Sequence, residues 1–157
     1  MKILVTGVGG QLGYDVCKVL DARKIENKGV DLADFDITDA QSTHDYIAAY
    51  RPDAVIHCSA WTAVDKAEDE LDKVRTVNTE GPRNIAKVCK EIGAKMLYIS
   101  TDYVFPGTGE RFYEPDDPTG PLGAYGSTKL GGELAVKEQL DNYLIVRISW
   151  VFGKNGN

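Results

Sequence analysis

Apolar runs of strand length alternate with segments of helical periodicity, and this alternation constrains the fold more than any other feature of the chain. The strand-like runs are KILVTG, NKGVDL, DAVIHCS, KMLYIST and YLIVRIS, together with a very short one, DFDIT. Helical periodicity covers residues 11–23, 40–50, 71–92 and 125–140. Strands that alternate with helices pair in parallel and carry helices on both faces of the sheet. We therefore predict an α/β chain with a doubly wound parallel sheet in a three-layer α/β/α arrangement.

Four residues predict where two of these helices begin, break or end. Asp39 is placed to cap the helix at residues 40–50. The pair Gly81 and Pro82 should kink the long helix at residues 71–92 or split it in two. Gly93 should then end that helix.

Size and composition limit the kind of protein and its partners. The 157 residues fit one domain, so residues 1–157 are assigned to a single unit. No apolar run approaches the ~20 residues that cross a bilayer, and MKILVTG is interpreted as a strand instead of a signal peptide, so we expect a cytoplasmic protein without a membrane partner. A net charge of −6 without a basic cluster argues against nucleic-acid binding. Cys17, Cys58 and Cys89 lack the spacing of a zinc site or a disulfide framework, so we predict buried free thiols and no metal.

A glycine-rich turn follows the first predicted strand. Gly7, Gly10 and Gly13 in GVGGQLG stand between a strand and a helix. Glycines there let the backbone approach a pyrophosphate, which also meets free N–H groups at the helix N-terminus. Asp31 ends the second strand and can accept hydrogen bonds from an adenosine ribose, while its charge repels a 2′-phosphate. The pattern predicts a Rossmann-type sheet that binds NAD(H) or NADP(H), with NAD(H) favoured. A ligand-free turn and a turn-forming carboxylate are the alternatives.

Tyr125 and Lys129 lie four residues apart in YGSTK, just after a stretch rich in proline and glycine. On a helix, side chains at this spacing share one face and can reach a common ligand. The pair is either a phenol and an ammonium that together move a proton, or an ordinary pair on a helix surface.

Seven segments occur in order along the chain: TGVGGQLG, DFDIT, AWTAVDKAE, VN, STDYVFPG, PLGAYGSTKLGGE and RISWVFG. In these segments the chain resembles the extended short-chain dehydrogenase/reductases, and among them the dTDP-4-dehydrorhamnose reductases. The resemblance implies that Tyr125 and Lys129 are the family's catalytic Y-x-x-x-K pair. Lys129 would hold the nicotinamide ribose and lower the pKa of Tyr125, whose phenol would protonate a carbonyl oxygen as hydride arrives.

The same resemblance implies further site residues. Thr101 would hydrogen-bond the reacting oxygen, with Ser100 as the alternative, and Asn78 would support a water and the lysine. Val104, Phe105 and Trp150 would shape the sugar site, for which core packing is the alternative role of the aromatic residues. His57 is predicted to be a satisfied core histidine, and His44 is given no role. Contacts with the dinucleotide are implied for Gln11, Leu12, Asp36, Ile37, Ser59, Ala60 and Trp61, in addition to the glycines, Asp31, Tyr125 and Lys129.

The activity implied by the resemblance is NAD(P)H-dependent reduction of dTDP-4-dehydro-L-rhamnose, a nucleotide sugar, to dTDP-L-rhamnose for cell-surface polysaccharide. A related nucleotide-sugar epimerase or dehydratase, and a non-catalytic dinucleotide-binding regulatory subunit, are the alternatives. Family members continue past RISWVFG into a lobe that binds the sugar, so we expect the 157 residues to lack that lobe, to bind the dinucleotide and to be inactive alone. We also expect YLIVRIS to lie at a sheet edge and to favour self-association.

Overall fold

The structure is a computed structural model that describes residues 1–109 and 111–153. Its five strands form one parallel sheet in the order β2-β1-β3-β4-β5. They are β1 Lys2–Thr6, β2 Glu26–Val30, β3 Ala54–His57, β4 Lys95–Thr101 and β5 Tyr143–Ile148. The helices are α1 Gln11–Ala22, α2 Ala40–Tyr50, α3 Val64–Asp69, α4 Leu71–Arg75, α5 Gly81–Ile92 and α6 Ala124–Gln139. No helix within this part of the chain is long and apolar enough to cross a bilayer.

Helices cover both faces of the sheet, which confirms the predicted three-layer fold class. On one face, Ile3 and Val5 of β1 pack with Leu20 of α1. On the other face, Leu4 and Val55 of the sheet belong to a larger cluster with Ile47 of α2, Ile85 of α5 and Val136 of α6. The parallel strands direct their carboxyl ends to one edge of the sheet, so the segments that follow them meet there.

The predicted short strand DFDIT is wrong, because residues 34–38 form turns instead of a strand. The Asp36 carboxylate accepts hydrogen bonds from the backbone N–H of Thr38 at 2.8 Å and from its hydroxyl at 2.7 Å. Such local bonds satisfy the backbone without a sheet partner. The apolar residues of the segment are nevertheless used, since Phe35 is buried and stacks on Tyr46 with ring centroids 4.7 Å apart.

The long helix predicted at residues 71–92 is divided as its Gly-Pro pair suggested, but the irregularity lies one turn earlier. A π-helical turn, Thr76–Glu80, separates α4 from α5. Pro82 has no N–H to donate to the carbonyl of Asn78, four residues earlier, and its ring crowds that carbonyl. The hydroxyl of Tyr98 lies 3.4 Å from this Asn78 carbonyl and 3.2 Å from the Lys129 carbonyl, and its one proton can be donated to either. Gly93 ends α5 in the left-handed conformation, with φ +73°, as predicted.

Local signals also set the limits of α2 and the position of β5. The Asp39 carboxylate accepts from the backbone N–H groups of Gln41 and Ser42, which confirms its role as the N-cap of α2. In the described part of the chain β5 is an edge strand, in agreement with the prediction for YLIVRIS. Self-association stays a prediction.

Candidate active site

A cavity of about 540 Å³ opens at the carboxyl ends of the strands. Its wall includes eleven residues singled out from the sequence: Gly7, Gly10, Gln11, Leu12, Gly13, Asp31, Ser59, Ala60, Thr101, Tyr125 and Lys129. Trp150 lines the same cavity, with 93% of its surface exposed. A second cavity of about 230 Å³ shares Asp31, Ser59 and Ala60 with the first and adds Asp36 and Ile37. The structure therefore brings most of the predicted cofactor residues to one continuous region.

The glycine-rich turn is shaped by close backbone approach. Gly7 has φ +74°, and a Cβ at this position would lie 2.7 Å from the backbone nitrogen of Ser59. Gly10 is the N-cap residue of α1 and offers no side chain to the first turn, so the helix N-terminus faces the cavity with free N–H groups. This surface has the form and polarity that suit a pyrophosphate.

Asp31 joins the glycine-rich turn to the end of β2. One carboxylate oxygen, Oδ2, accepts from the backbone N–H of Gly9 at 2.7 Å, and Oδ1 accepts from Leu32 at 2.9 Å. A carboxylate has about four lone-pair sites, so acceptor capacity remains for a ligand hydroxyl. Asp31 lines both the first and the second cavity. Its turn-forming and ligand-facing roles are thus compatible.

Tyr125 and Lys129 begin α6 and share one face of it. Lys129 is 3% exposed; its ammonium donates to the Ile99 carbonyl at 2.7 Å and lies 4.3 Å from the centre of the Tyr98 ring. Burial lowers the pKa of Lys129 to about 7, although the negative charge of Glu133 opposes that change. The Lys129 ammonium is therefore held in an environment where it releases its proton unusually easily.

The predicted direction of the Tyr125 pKa shift is wrong. Burial raises the pKa of the phenol above its ordinary value, and a hydrogen bond with Thr101 only partly opposes this. Desolvation disfavours the tyrosinate more than the neighbouring groups favour it. The phenol therefore keeps its proton at neutral pH, which is the state that a general acid needs.

Of the neighbouring residues Ser100 and Thr101, Thr101 is the one that faces Tyr125. Its hydroxyl lies near enough to the phenol to lower the Tyr125 pKa; it donates to the Asp102 carboxylate at 3.1 Å and accepts from the backbone N–H of Tyr103 at 3.2 Å. Ser100 is turned to the other side of β4, where its hydroxyl donates to Glu133 at 2.6 Å. Alternation along a strand explains why adjacent hydroxyls have opposite surroundings.

Asn78 lies in the π-helical turn and is 1% exposed. Its Oδ1 accepts from the Trp61 backbone N–H at 2.8 Å, and its Nδ2 donates to the Trp61 carbonyl at 3.1 Å and to the Thr128 hydroxyl at 3.3 Å. These contacts tie the 59–62 loop to α6 and differ from the predicted support of a water and Lys129. Trp61 is held by its backbone and does not line either of the two cavities.

The predicted sugar-site residues have different surroundings. Val104 is fully buried, whereas Phe105 lines a third cavity of about 440 Å³ together with Tyr103 and Tyr125. The Tyr103 and Tyr125 rings meet edge to face, with centroids 5.6 Å apart. This third cavity therefore brings an apolar wall to the phenol of Tyr125.

His57 is buried as predicted, but it is only half satisfied. Its Nδ1 bonds to the Thr6 hydroxyl at 2.7 Å, while no partner for Nε2 is found within the described residues. Burial lowers the pKa of His57 to about 3, and the positive charge of Lys129 adds to this effect. The imidazole is therefore neutral.

Two carboxylates beside the site, Glu68 and Glu133, were not predicted from the sequence. Glu68 of α3 accepts from the Ala124 backbone N–H at 2.7 Å, so it caps α6, whose own N-cap residue is Gly123. Glu133 lies one turn after Lys129 and is fully buried. For Glu133 a signal existed, since its i+4 spacing from Lys129 repeats that of Lys129 from Tyr125. For Glu68 none did, because the contact joins distant segments.

Comparison with known protein families decides the ancestry of the chain. The family model described as RmlD substrate binding domain matches residues 1–157. The chain belongs to the RmlD family. A member from Streptomyces griseus, a dTDP-4-dehydrorhamnose reductase, is 47% identical over 154 residues, which are 98% of this chain and 51% of that protein.

Solved structures of RmlD-type proteins have the same fold. The dTDP-4-dehydrorhamnose reductase structure from Clostridium acetobutylicum matches with a TM-score of 0.97 and 41% identity, over 100% of this chain and 56% of that one. The enzyme from Bacillus anthracis, in complex with NADP, matches with a TM-score of 0.96 and 40% identity, over 100% and 57%. The resemblance inferred from the sequence motifs is confirmed. The chain spans about half the length of the curated relatives it matches.

Proposed function

We propose that residues 1–157 are the dinucleotide-binding part of a reductase that converts dTDP-4-dehydro-L-rhamnose to dTDP-L-rhamnose. The observation that carries this proposal is the meeting of Thr101, Tyr125 and Lys129 on the wall of a cavity that the glycine-rich turn also lines. The names of the relatives support a reductase. Tyr125 and Lys129 argue against a purely regulatory binding module, which has no need of a proton donor.

The first two cavities together suit a nicotinamide dinucleotide. Gly7, Gly10 and the N-terminus of α1 would hold the pyrophosphate. Asp31 would accept from the adenosine ribose, and the second cavity, which includes Phe35 and Ile37, would receive the adenine. When bound, the reduced nicotinamide supplies a hydride to the carbonyl carbon of the sugar.

Tyr125 would supply the proton for the carbonyl oxygen. Its raised pKa keeps the phenol protonated, and the Thr101 hydroxyl on the same cavity wall would offer a second hydrogen bond to the same oxygen. Lys129 would hold the nicotinamide ribose and bring a positive charge to the phenol as that group loses its proton.

The cavity walls favour NADH over NADPH. Within residues 1–109 and 111–153, Lys129 is the one cation that lines the first cavity, and the second is lined by none. A 2′-phosphate near Asp31 would therefore meet a carboxylate without a compensating cation. NADP in the Bacillus anthracis relative belongs to that protein and makes the preference worth measuring.

The test measures cofactor binding and turnover separately. Calorimetry should detect NADH binding to the chain, and NADH oxidation with dTDP-4-dehydro-L-rhamnose reports reduction in the protein that carries this sequence. Tyr125→Phe should reduce turnover by about 100-fold or more while NADH affinity is retained, because only the proton donor is removed. Tyr143→Phe, an exposed tyrosine on β5, is the matched control and should leave both unchanged.

Two outcomes would contradict the proposal in different ways. Near-full turnover in Tyr125→Phe would exclude this phenol as the acid. A folded chain that does not bind NADH would exclude the dinucleotide site itself.

A further inference from the structure

A carboxylate is fully enclosed two turns along α6 from Tyr125. The Glu133 Oε1 accepts from the Ser100 hydroxyl at 2.6 Å and from Arg147 Nε at 2.9 Å, and its Oε2 accepts from Arg147 Nη2 at 2.8 Å. Burial raises the pKa of Glu133, but the bonds from Arg147 and Ser100 outweigh it, so the pKa lies below its ordinary value. Glu133 is thus an ionised group in the core. Buried ion pairs are seldom needed for stability alone, which directs attention to what this pair holds in place.

Arg147 pairs with Glu133 of α6 and also contacts the segment at residues 111–117. Its Nη1 donates to the Pro115 carbonyl at 3.0 Å, and its guanidinium lies 4.8 Å from the centre of the Phe105 ring. The Phe105 ring also stacks on Tyr113, with centroids 4.3 Å apart. Because Phe105 lines the third cavity beside Tyr125, Arg147 packs directly behind one wall of that cavity.

Glu133 also lies one helical turn after Lys129 on α6, and its negative charge raises the pKa of the Lys129 ammonium. Tyr125, Lys129 and Glu133 follow at intervals of four residues and so share one face of α6. The titratable or charged groups around Lys129 are His57 and Cys58 at the end of β3, Tyr98 of β4, Tyr125 and Glu133 of α6, and Arg147 of β5 behind Glu133. Burial raises the pKa of Cys58 to about 12, so this thiol is neutral and Glu133 supplies the negative charge.

We propose that Glu133 and Arg147 are a positioning pair, in which Glu133 provides the counter-charge of the Lys129 ammonium and Arg147 fastens residues 111–117 and the Phe105 wall beside Tyr125. The catalytic meaning of the pair rests on the proposed function. The effect of Glu133 on Lys129 and the contact of Arg147 with residues 111–117 can both be measured without turnover.

The counter-charge is tested by NMR titration of the Lys129 side chain in the ¹³C-labelled chain. Glu133→Gln keeps the size and the acceptor oxygen for Ser100 but removes the charge. The titration midpoint of Lys129 should fall by about one pH unit, the effect of losing a nearby opposite charge. A midpoint that does not move in the folded variant would overturn this part of the proposal.

The fastening of the segment is tested by hydrogen exchange at the backbone amides of Glu114 and Asp117. Arg147→Lys keeps the positive charge but loses the planar fork that reaches Glu133 and Pro115 together. Exchange at these amides should accelerate about tenfold, the factor of one charge-assisted hydrogen bond, while the Lys129 midpoint stays in place. Unchanged exchange would show that Arg147 does not hold the segment.

A second ion pair on α6 provides the matched control. Glu138 pairs with Arg83 of α5 away from the cavities, so Glu138→Gln should change neither the Lys129 midpoint nor exchange at residues 111–117.

If Glu133→Gln does not fold, Glu133→Gln combined with Arg147→Met leaves no lone charge in the core. The Lys129 midpoint should again fall, but by less than in Glu133→Gln alone, because loss of the Arg147 charge opposes loss of the Glu133 charge. Near-full turnover in Tyr125→Phe would contradict the proposed function but would leave these measurements unaffected, so the two proposals can fail independently.

Discussion

At the scale of single residues, Asp31 has one observed role in the fold and one proposed role toward a ligand. Its bond to the Gly9 N–H fixes the glycine-rich turn against the end of β2. Its position between the first two cavities places the same charge where a dinucleotide carries either a ribose hydroxyl or a 2′-phosphate. A substitution that removes the charge while keeping the acceptor separates these two roles.

Asp31→Asn should therefore shift cofactor preference while it keeps the bond that joins the glycine-rich turn to β2. The amide oxygen still accepts from Gly9, the local bond from Leu32 is lost, and repulsion of a 2′-phosphate is removed. The ratio of NADPH to NADH affinity, measured by calorimetry, should rise by about tenfold, or ~1.4 kcal/mol. Asp141→Asn is the control, since Asp141 is exposed and lines neither cavity. An unchanged ratio would mean that Asp31 only forms the turn.

At the scale of elements, α6 lies unusually close to its neighbours. A Cβ on Gly132 would collide with the Tyr98 hydroxyl of β4 and with the Asn78 carbonyl of the π-helical turn. The Asn78 carbonyl is directed there because Pro82 prevents the ordinary helical bond. The absence of a side chain at Gly132 therefore allows α6, β4 and the π-helical turn to meet behind Lys129.

Gly132→Ala should destabilise the chain although alanine favours helices. The added methyl group must displace a backbone carbonyl, and overpacking of this kind costs about 3 kcal/mol. Urea unfolding followed by circular dichroism measures the loss. Leu134→Ala, at an exposed position of the same helix, should cost less than half as much. Equal stability of Gly132→Ala and the unaltered chain would show that the contact relaxes freely.

The elements that sequence patterns predict well are those with a regular period. The five long apolar runs became the strands, and Asp39 and Gly93 marked helix limits, because these signals are local. DFDIT failed because the Asp36 side chain satisfies backbone groups that a strand would have left for a neighbour. The pKa of Tyr125, the partners of Asn78 and the cap from Glu68 depend on which segments meet in space, and no local pattern contains that information.

At the scale of the whole molecule, the two histidines respond to acid in opposite directions. The folded pKa of His57 is about 3, far below its ordinary value of 6.5, because burial disfavours the charged imidazolium. Between these values the unfolded chain binds a proton that the folded chain cannot, so stability falls as pH falls. His44 is exposed, and hydrogen bonds with Asp45 and Glu91 raise its pKa, which favours the folded chain on the acid side.

His57→Gln should therefore reduce the acid sensitivity of folding. From pH 6.5 to about pH 5, His57 accounts for a loss of about 2 kcal/mol in the free energy of unfolding, and the variant should lack this part. Urea unfolding at both pH values measures the difference. His44→Gln is the contrast and should make the acid loss larger instead of smaller. The same acid loss in His57→Gln as in the unaltered chain would contradict the neutral assignment of His57.

The strand order has a consequence for the order of assembly during synthesis. The central strand β1 pairs with β2 and β3, and all three lie within residues 1–57. Gly7, Gly10, Asp31 and Ser59, which form the proposed dinucleotide site, are likewise translated early, whereas α6 is translated much later. Synthesis runs from the N-terminus at about 5–20 residues per second. When α6 and its proposed proton donor emerge, β1 already has both of its strand partners, and the proposed dinucleotide site has been made.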